Sequence, residues 1–496
     1  MSINKENIKL IFGLKLKQAR AEKKYSLATL SEKSGLSISY LNEIEKGKKY
    51  PKPEKIHALS LALKIKFDEL VSLKLEKNLS PLGTLIKSDL LNEIPLSFFG
   101  IDSKKLVGIL SSAPTKVNAF ISALFEISRD HQLNQEHFYY SALRAYQELK
   151  LNYFEDIEDS VASCLRTFDL KKKGLTVENL KKSLADHFNY EFKSLDIDKY
   201  PNLNGLRSLL KPNTKNTLYT NPDLQDSQLL FVLGRELAFN FLKTKERPLT
   251  FSHLIAHNFD EVLNNFKASY FSIAMLINQD ELTEDLKQIF GNNSFEAKAI
   301  VALLDKYRVS PEMLFQRITN ILPKKLGIKN LFFLRFNNED HSNNYYLTKE
   351  LHLNKLHNPH GNSLQEHYCR RWITIDVLKD LKKAQKQNNN EKVIISAQRS
   401  KYIDSPNEYF CISIAKSMHP TPNSNRSVTL GFLLNDKLKN EMKFWNDPNI
   451  TVRDVNATCE RCPLTDCKER VAPPYAINKI NKEAAIEEEI NMILGE

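Results

Sequence analysis

Near the N-terminus, apolar residues recur three and four apart in short runs separated by polar breaks, a pattern that predicts a bundle of small helices. A helix begins at Ser26 and runs to about residue 33, a turn passes through Ser34, Gly35 and Leu36, and Ser37 opens a second helix. Serine hydroxyls accept from the unsatisfied N–H groups of a first helical turn, and Gly35 can take the positive φ that a tight turn needs. Leu30, Leu36, Leu41 and Ile44 supply the apolar face of this pair. Leu14, Leu16 and Ala19 predict a preceding helix, and Ile56, Leu59, Leu61 and Leu63 a following one opened near Pro53 and Glu54. Residues 67–70 read as a short fifth helix. Helical spacing continues over 81–170, as Phe120, Ile121, Leu124 and Ile127 show, and then over 138–151 and 154–165. After residue 330 the pattern changes to apolar runs over 331–336, 393–397, 409–414 and 427–434, which predict strands of one sheet. Cys164 falls in a helix and Cys411 in a strand, both as core residues.

The paired helices are of the kind that docks on duplex DNA. Their run of Tyr40, Leu41, Ile44, Glu45, Lys46 and Gly47 resembles the lambda-repressor/Cro family of DNA-binding domains over about the first 70 residues. The resemblance implies a recognition helix in the major groove. Ser37, Ile38, Ser39, Asn42 and Glu43 are then candidates for base edges, with Ser26 at the neighbouring cap, and Lys46, Lys48, Lys49 and Lys52 for phosphates. Where that family usually carries Gln after the first cap serine, this chain has Leu27, so one common phosphate or base contact is missing.

Charge adds to this picture. Residues 1–75 hold 16 Lys and Arg against 8 Asp and Glu, which leaves little of the whole-chain +11 for the remainder. Basic charge gathered in one small domain suits a polyanion. No run of 18 apolar residues exists and the N-terminus lacks the apolar core of a signal peptide, so a cytoplasmic protein is expected, with no membrane partner. The 496 residues suit about three domains. Six unevenly spaced cysteines suit metal ligation or core packing better than a disulfide framework.

The segment from Gln228 to Phe239 resembles the active-site helix of ImmA/IrrE-like metallopeptidases, whose H-E-x-x-H motif binds zinc through two histidines and uses the Glu as general base. Here those positions are Arg235, Glu236 and Phe239, and Asn265 stands where the family's later acidic ligand would be. A zinc site of Arg, Phe and Asn is not chemically credible. The expectation is a zincin-like fold without its metal and without catalytic residues. Residues 307–323 are similar to the run that closes that domain in relatives.

Cys459, Cys462 and Cys467 have C-x-x-C-x-x-x-x-C spacing on a short loop, which can place three sulfurs around one metal centre. Nearby Arg461, Lys468 and Arg470 would favour thiolates. An iron–sulfur cluster could use three cysteines and another ligand, whereas zinc would need a fourth nitrogen or sulfur. Cys369 and His367 are the nearest candidates for that fourth place.

The complete order of segments, ending in that cysteine signature and Arg470, Ala472, Pro473 and Pro474, resembles the short-chain fatty-acyl-responsive regulators of bacteria. The resemblance implies Cys459, Cys462 and Cys467 as iron–sulfur ligands and a short-chain acyl-coenzyme A effector. The expected fold is multidomain and mainly α with an α+β body. It divides into a five-helix DNA-binding domain (1–75), a helical connector suited to dimerisation (76–170), a degenerate ImmA/IrrE-like domain (171–325), a C-terminal α/β sensor domain (326–480) and a helical tail (481–496). The expected function is that of a homodimeric transcriptional regulator on a duplex DNA operator. A zinc-stapled loop is the alternative for the cysteines. For the whole chain, the alternatives are a metallopeptidase that cleaves a partner repressor and an antitoxin-like protein-binding module.

Overall fold

The structure is a computed structural model that describes residues 5–73, 135–170, 175–251, 257–339, 342–353, 366–387, 393–403, 405–421 and 423–494. The helix expected around Phe120 and Ile127 lies outside these residues. The chain forms two compact units, Met1–Ala142 and Leu143–Glu496.

In the first unit, five helices follow in the expected order: α1 (Lys5–Glu22), α2 (Leu27–Ser34), α3 (Ile38–Glu45), α4 (Pro53–Leu63) and α5 (Phe67–Val71). Phe12, Leu16, Ala19, Leu30, Leu41, Ile44, Ile56, Leu59, Leu63 and Leu70 make one buried core. Leu61 does not join it and is 67% exposed, because it lies off the stripe that Ile56, Leu59 and Leu63 trace along α4. Arg20 of α1 closes a two-pronged ion pair on Glu45 at the end of α3, at 2.6 and 2.8 Å, and donates to the Tyr25 carbonyl at 2.9 Å. The same two helices approach so closely at Gly13 that a Cβ there would collide with the Ile44 and Glu45 carbonyl groups.

Helix α6 (Gln135–Leu149) spans the boundary between the units. The second unit continues with α7 (Glu155–Thr167), α8 (Val177–Phe188), β1 (Tyr190–Ser194), β2 (Ser208–Lys211), β3 (Asn216–Thr220), α9 (Asp226–Phe241), β4 (Thr250–Phe251), α10 (Phe259–Leu276), α11 (Gln279–Phe290), α12 (Ala297–Tyr307) and α13 (Pro311–Lys325). Strands β1 to β4 form a small sheet of order β1-β3-β2-β4, with β1 and β3 parallel. After α13 come β5 (Leu331–Glu339), β6 (Tyr346–His352), α14 (Ile373–Lys386), β7 (Val393–Tyr402), β8 (Glu408–Ser417), β9 (Ser424–Leu433), α15 (Asp436–Glu441), β10 (Thr451–Val455) and α16 (Tyr475–Leu494). These strands form a six-stranded sheet of order β10-β7-β8-β9-β5-β6, antiparallel except for the β10–β7 pair. The sequence reading found β5, β7, β8 and β9 but not β6, β10 or the small sheet.

The large sheet is covered on both faces. Phe333, Phe410, Ile412, Leu430 and Phe432 pack on one side with residues of α11, α12 and α13, while Phe332, Leu334, Tyr409 and Cys411 pack on the other with Trp372 and α14. Alternation along each strand sends successive side chains to opposite layers. Residues 154–168, read from sequence as connector, pack instead with α9 and α10 inside this unit. Cys164 and Cys411 are buried as expected, and burial pushes both thiols up to about 12.

Glu158 of α7 and Arg317 of α13 pair inside the body. Arg317 donates to both carboxylate oxygens at 2.5 and 3.0 Å and to the Ile277 carbonyl at 3.0 Å, while the Tyr270 hydroxyl donates to Glu158 at 2.7 Å. Removing one partner leaves the other charge buried and unpaired. Arg317→Met should therefore destabilise the body by about 3–5 kcal/mol, seen as an earlier urea transition of the full chain. Adding Glu158→Gln should recover part of that loss, and no recovery would count against the pairing.

Candidate nucleic-acid interface and cysteine centre

The turn between α2 and α3 is built as the serines and glycine predict. Ser26 Oγ accepts from the Thr29 N–H at 3.0 Å and Ser37 Oγ from the Tyr40 N–H at 3.3 Å. Gly35 takes φ +69° and donates to the Ser31 carbonyl at 2.9 Å, while the Ser31 hydroxyl donates to Leu36 O at 2.5 Å. Leu41 and Ile44 anchor α3 in the core. Its opposite side leaves Ser37, Ile38 and Ser39 exposed, with Asn42 half-buried. Ile38, 49% exposed at the first helical position, is the large apolar group on this side.

Other candidates are more constrained. Glu43 pairs with Lys49 at 2.8 Å, so these two engage each other. Ser26, Lys46 and Lys48 are exposed. Lys55, which the sequence reading passed over, lies 4.1 Å above the Tyr40 ring and brings another cation beside α3. Its spacing three residues after Lys52, on the first turn of α4, was the available signal. Leu27 packs against the core of the head, which explains in physical terms why an apolar residue stands where a polar contact was expected.

In the body, two distant segments meet. Tyr368 and Thr458 form an isolated antiparallel bridge, the Cys369 N–H donates to Ala457 O at 3.1 Å and the Cys459 N–H donates to His367 O at 2.8 Å. Glu366 accepts from Thr458 Oγ1 at 2.7 Å and from Arg461 Nε at 2.9 Å, and His367 Nδ1 lies 2.8 Å from a Glu460 carboxylate oxygen. This latch brings Cys369, Cys459, Cys462 and Cys467 to the lining of one cleft. The first three are buried and Cys467 is half-buried.

Of the two candidates for a fourth ligand, Cys369 reaches the cleft. His367 is turned to Glu460 instead. Burial pushes the Cys369 thiol up to about 11. Two of the three cations expected to favour thiolates are engaged elsewhere: Arg461 holds Glu366, and Arg470 donates to the carbonyls of Cys459, Cys462 and Leu464, while Lys468 is exposed. Arg370, whose guanidinium lies 4.6 Å from the Tyr345 ring, also lines the cleft. Among the described residues no group of three or more His, Cys, Asp or Glu is arranged to hold a metal ion.

Helices α9 and α10 bring together the three positions compared with zinc ligands, Arg235 and Phe239 on the first and Asn265 on the second. Arg235 Nη2 donates to Asn265 Oδ1 at 2.5 Å, and its guanidinium lies 5.4 Å from the Phe239 ring and 3.9 Å from that of Phe251. Burial lowers its pKa to about 9. Glu236 accepts from Arg247 at 2.6 Å and from the Tyr190 hydroxyl at 2.8 Å, and is itself buried. A guanidinium thus stands among positions where a metal would need ligands.

Comparison with known proteins gives a helix-turn-helix family model over residues 16–70. The head is a lambda repressor-like helix-turn-helix, the DNA-binding unit of transcriptional regulators. Among solved structures, the chain is similar to a Mycobacterium tuberculosis transcriptional regulator, at 19% identity and a TM-score of 0.46 over 66% of this chain and 92% of that one. That likeness is too distant to bear on function. No curated protein matches the chain. No described helix is long and apolar enough to cross a membrane.

Removing the Ser37 cap should destabilise the head by about 1 kcal/mol in Ser37→Ala. Ile38→Ala, on the open side, should leave stability within about 0.5 kcal/mol of the parent. Thermal unfolding of the full chain followed by circular dichroism checks both.

Proposed function

We propose that the protein is a homodimeric DNA-binding transcriptional regulator whose body responds to a small effector. The observation that carries this reading is the capped α2–turn–α3 unit, which buries Leu41 and Ile44 and leaves Ser37, Ile38, Ser39 and Asn42 open. Two heads would read a roughly palindromic operator with half-sites separated by whole helical turns. Ile38 can contact a thymine methyl and Asn42 an adenine edge. Lys46, Lys48 and Lys55 would sit by phosphates. The effector acts by binding DNA-competent and incompetent arrangements with different affinity.

The order of segments and the cysteine spacing, which resemble the short-chain fatty-acyl-responsive regulators, support a short-chain acyl-coenzyme A as effector. The spacing of Cys459, Cys462 and Cys467, and the lining of one cleft by these three with Cys369, support a thiolate-held iron–sulfur cluster. A single zinc ion held by the same cysteines is the alternative. When bound, a cluster would supply electron transfer or a rigid cross-link; Arg470 and the Glu366–Arg461 pair hold the loop that carries its ligands. The body is read as non-enzymatic, because Glu236 is buried between Arg247 and Tyr190 and the neighbouring positions offer no zinc ligands.

Selection of duplexes from a random pool should return a two-fold symmetric site. On that site Asn42→Ala should lose about 1–3 kcal/mol per half-site, while the Lys46→Ala, Lys48→Ala pair, which removes two lysines from each of the two heads, should weaken all duplexes and lower the salt slope by about 4. Failure to bind any duplex at low salt would end the regulator reading.

Protein purified without oxygen should carry iron and sulfide with broad visible absorption, both lost in Cys462→Ser. One zinc and no colour would instead make the loop a structural staple.

A further inference from the structure

Helix α16 (Tyr475–Leu494) has 20 residues and buries none of them. Its first turn is anchored: the Ala476 N–H donates to the Glu460 carbonyl of the cysteine loop at 3.2 Å, and the Asn478 N–H donates to Pro474 O at 2.9 Å. From Asn478 to Leu494 every residue is exposed. A helix of this length, about 30 Å, is marginal in water without a packed face. It has such a face to offer. Ile486, Ile490 and Ile493 fall at i, i+4 and i+7 and are 47, 49 and 85% exposed, which is the spacing of a seam along which two helices pack.

The charges of α16 indicate what covers that face. Lys479 and Lys482 lie seven and four residues before Ile486, so one face carries two lysines in its first half and three isoleucines in its second. Glu487 and Glu489 border the isoleucines on either side, and Glu483, seven residues before Ile490, shares the face and lies 3.9 Å from Lys479. A parallel second copy would set Lys479 against Lys479 and Glu483 against Glu483. An antiparallel copy lays the lysine stems along the partner's isoleucines, with their ammonium groups beside the bordering glutamates. It also opposes the two helix dipoles, which α16 itself does not offset, having no acidic residue in its first turn and no basic one in its last. A lipid surface fits less well. Interfacial helices carry Lys and Arg around the apolar face, whereas here four glutamates outnumber two lysines.

We infer that α16 is a dimerisation helix whose occupant is the same helix of a second copy of this chain, packed antiparallel with Ile486, Ile490 and Ile493 at the seam. The inference rests on the homodimer reading and deepens it, by giving the dimer an element outside the 76–170 connector. It also sets the pairing helix directly on the cysteine loop, through the bond from Ala476 to Glu460.

The test uses the full-length protein, with sedimentation equilibrium over a concentration series and anisotropy on labelled duplex DNA in parallel. The parent should dimerise, and its dissociation constant should rise at least tenfold in the Ile486→Ser, Ile490→Ser pair. These side chains are exposed, so the unfolding temperature of the body, measured where the parent is monomeric, should not move. The Lys479→Glu, Lys482→Glu pair and the Glu487→Lys, Glu489→Lys pair should each dimerise poorly alone and well when mixed. Carbodiimide coupling of the parent should join Lys479 of one copy to Glu489 of another, residues about 15 Å apart within one helix. A dimer that the isoleucine pair leaves unchanged, no such coupling between copies, or a monomer at every concentration would overturn the inference. A monomer that floats with neutral phospholipid vesicles would overturn it in favour of a lipid surface. Duplex binding beside any of those outcomes would leave the regulator reading standing, whereas an α16-dependent dimer that binds no duplex would do the reverse.

Discussion

The arrangement of the body depends on the Glu158–Arg317 ion pair more than on any other polar contact. It sits where two apolar cores meet, one built on α7, α9 and α10 and the other on α11, α12, α13 and the large sheet. Apolar contact alone is tolerant of sliding, because one methyl group packs nearly as well as its neighbour. A two-pronged guanidinium with a third bond to the Ile277 carbonyl is not. Its net contribution to stability is small by the general behaviour of buried pairs, but it sets the register of α7 and α13 and so fixes the helical layer on which the sheet rests.

That sheet then separates two chemistries. On its α13 face, β5, β6 and β9 present Arg335, Lys349 and Arg426 to Glu312. On its α14 face, Trp372 Nε1 donates to Asn456 O at 2.9 Å and helps hold the cysteine loop against the segment carrying Cys369. Strand alternation sends the three cations to the α13 face, whereas the cysteine segments lie outside the strands and are held on the other side by Trp372 and the latch. The helix-turn-helix head is a separate unit with its own core.

Much of the head was legible because its information is local. Cap serines, the left-handed Gly35 and the apolar stripe each act within a few residues, and each appears in the structure where the pattern puts it, Leu61 excepted. The buried strands β5, β7, β8 and β9 were legible for the same reason. Edge strands β6 and β10 were not, since their exposed positions carry Thr, Lys, Glu, Arg and Asp and lack the apolar run that marks a buried strand. The spacing of Cys459, Cys462 and Cys467 pointed to one place, but that Cys369 rather than His367 lines the cleft beside them depended on Glu460 drawing the imidazole away.

The latch beside the cysteines has a consequence for folding. Arg461 and Glu366 are 95 residues apart in sequence, and the chain between them contains α14 and strands β7, β8, β9 and β10. Cys369 and the three loop cysteines stand at the two ends of nearly the same stretch. Closing a loop grows costlier with its length only logarithmically, so a single bridge at this point constrains a large fraction of the body. Any group that joins Cys369 to the loop would act as a clasp on four of the six strands, and its arrival or departure would be felt as a change in the cooperativity of the whole sheet.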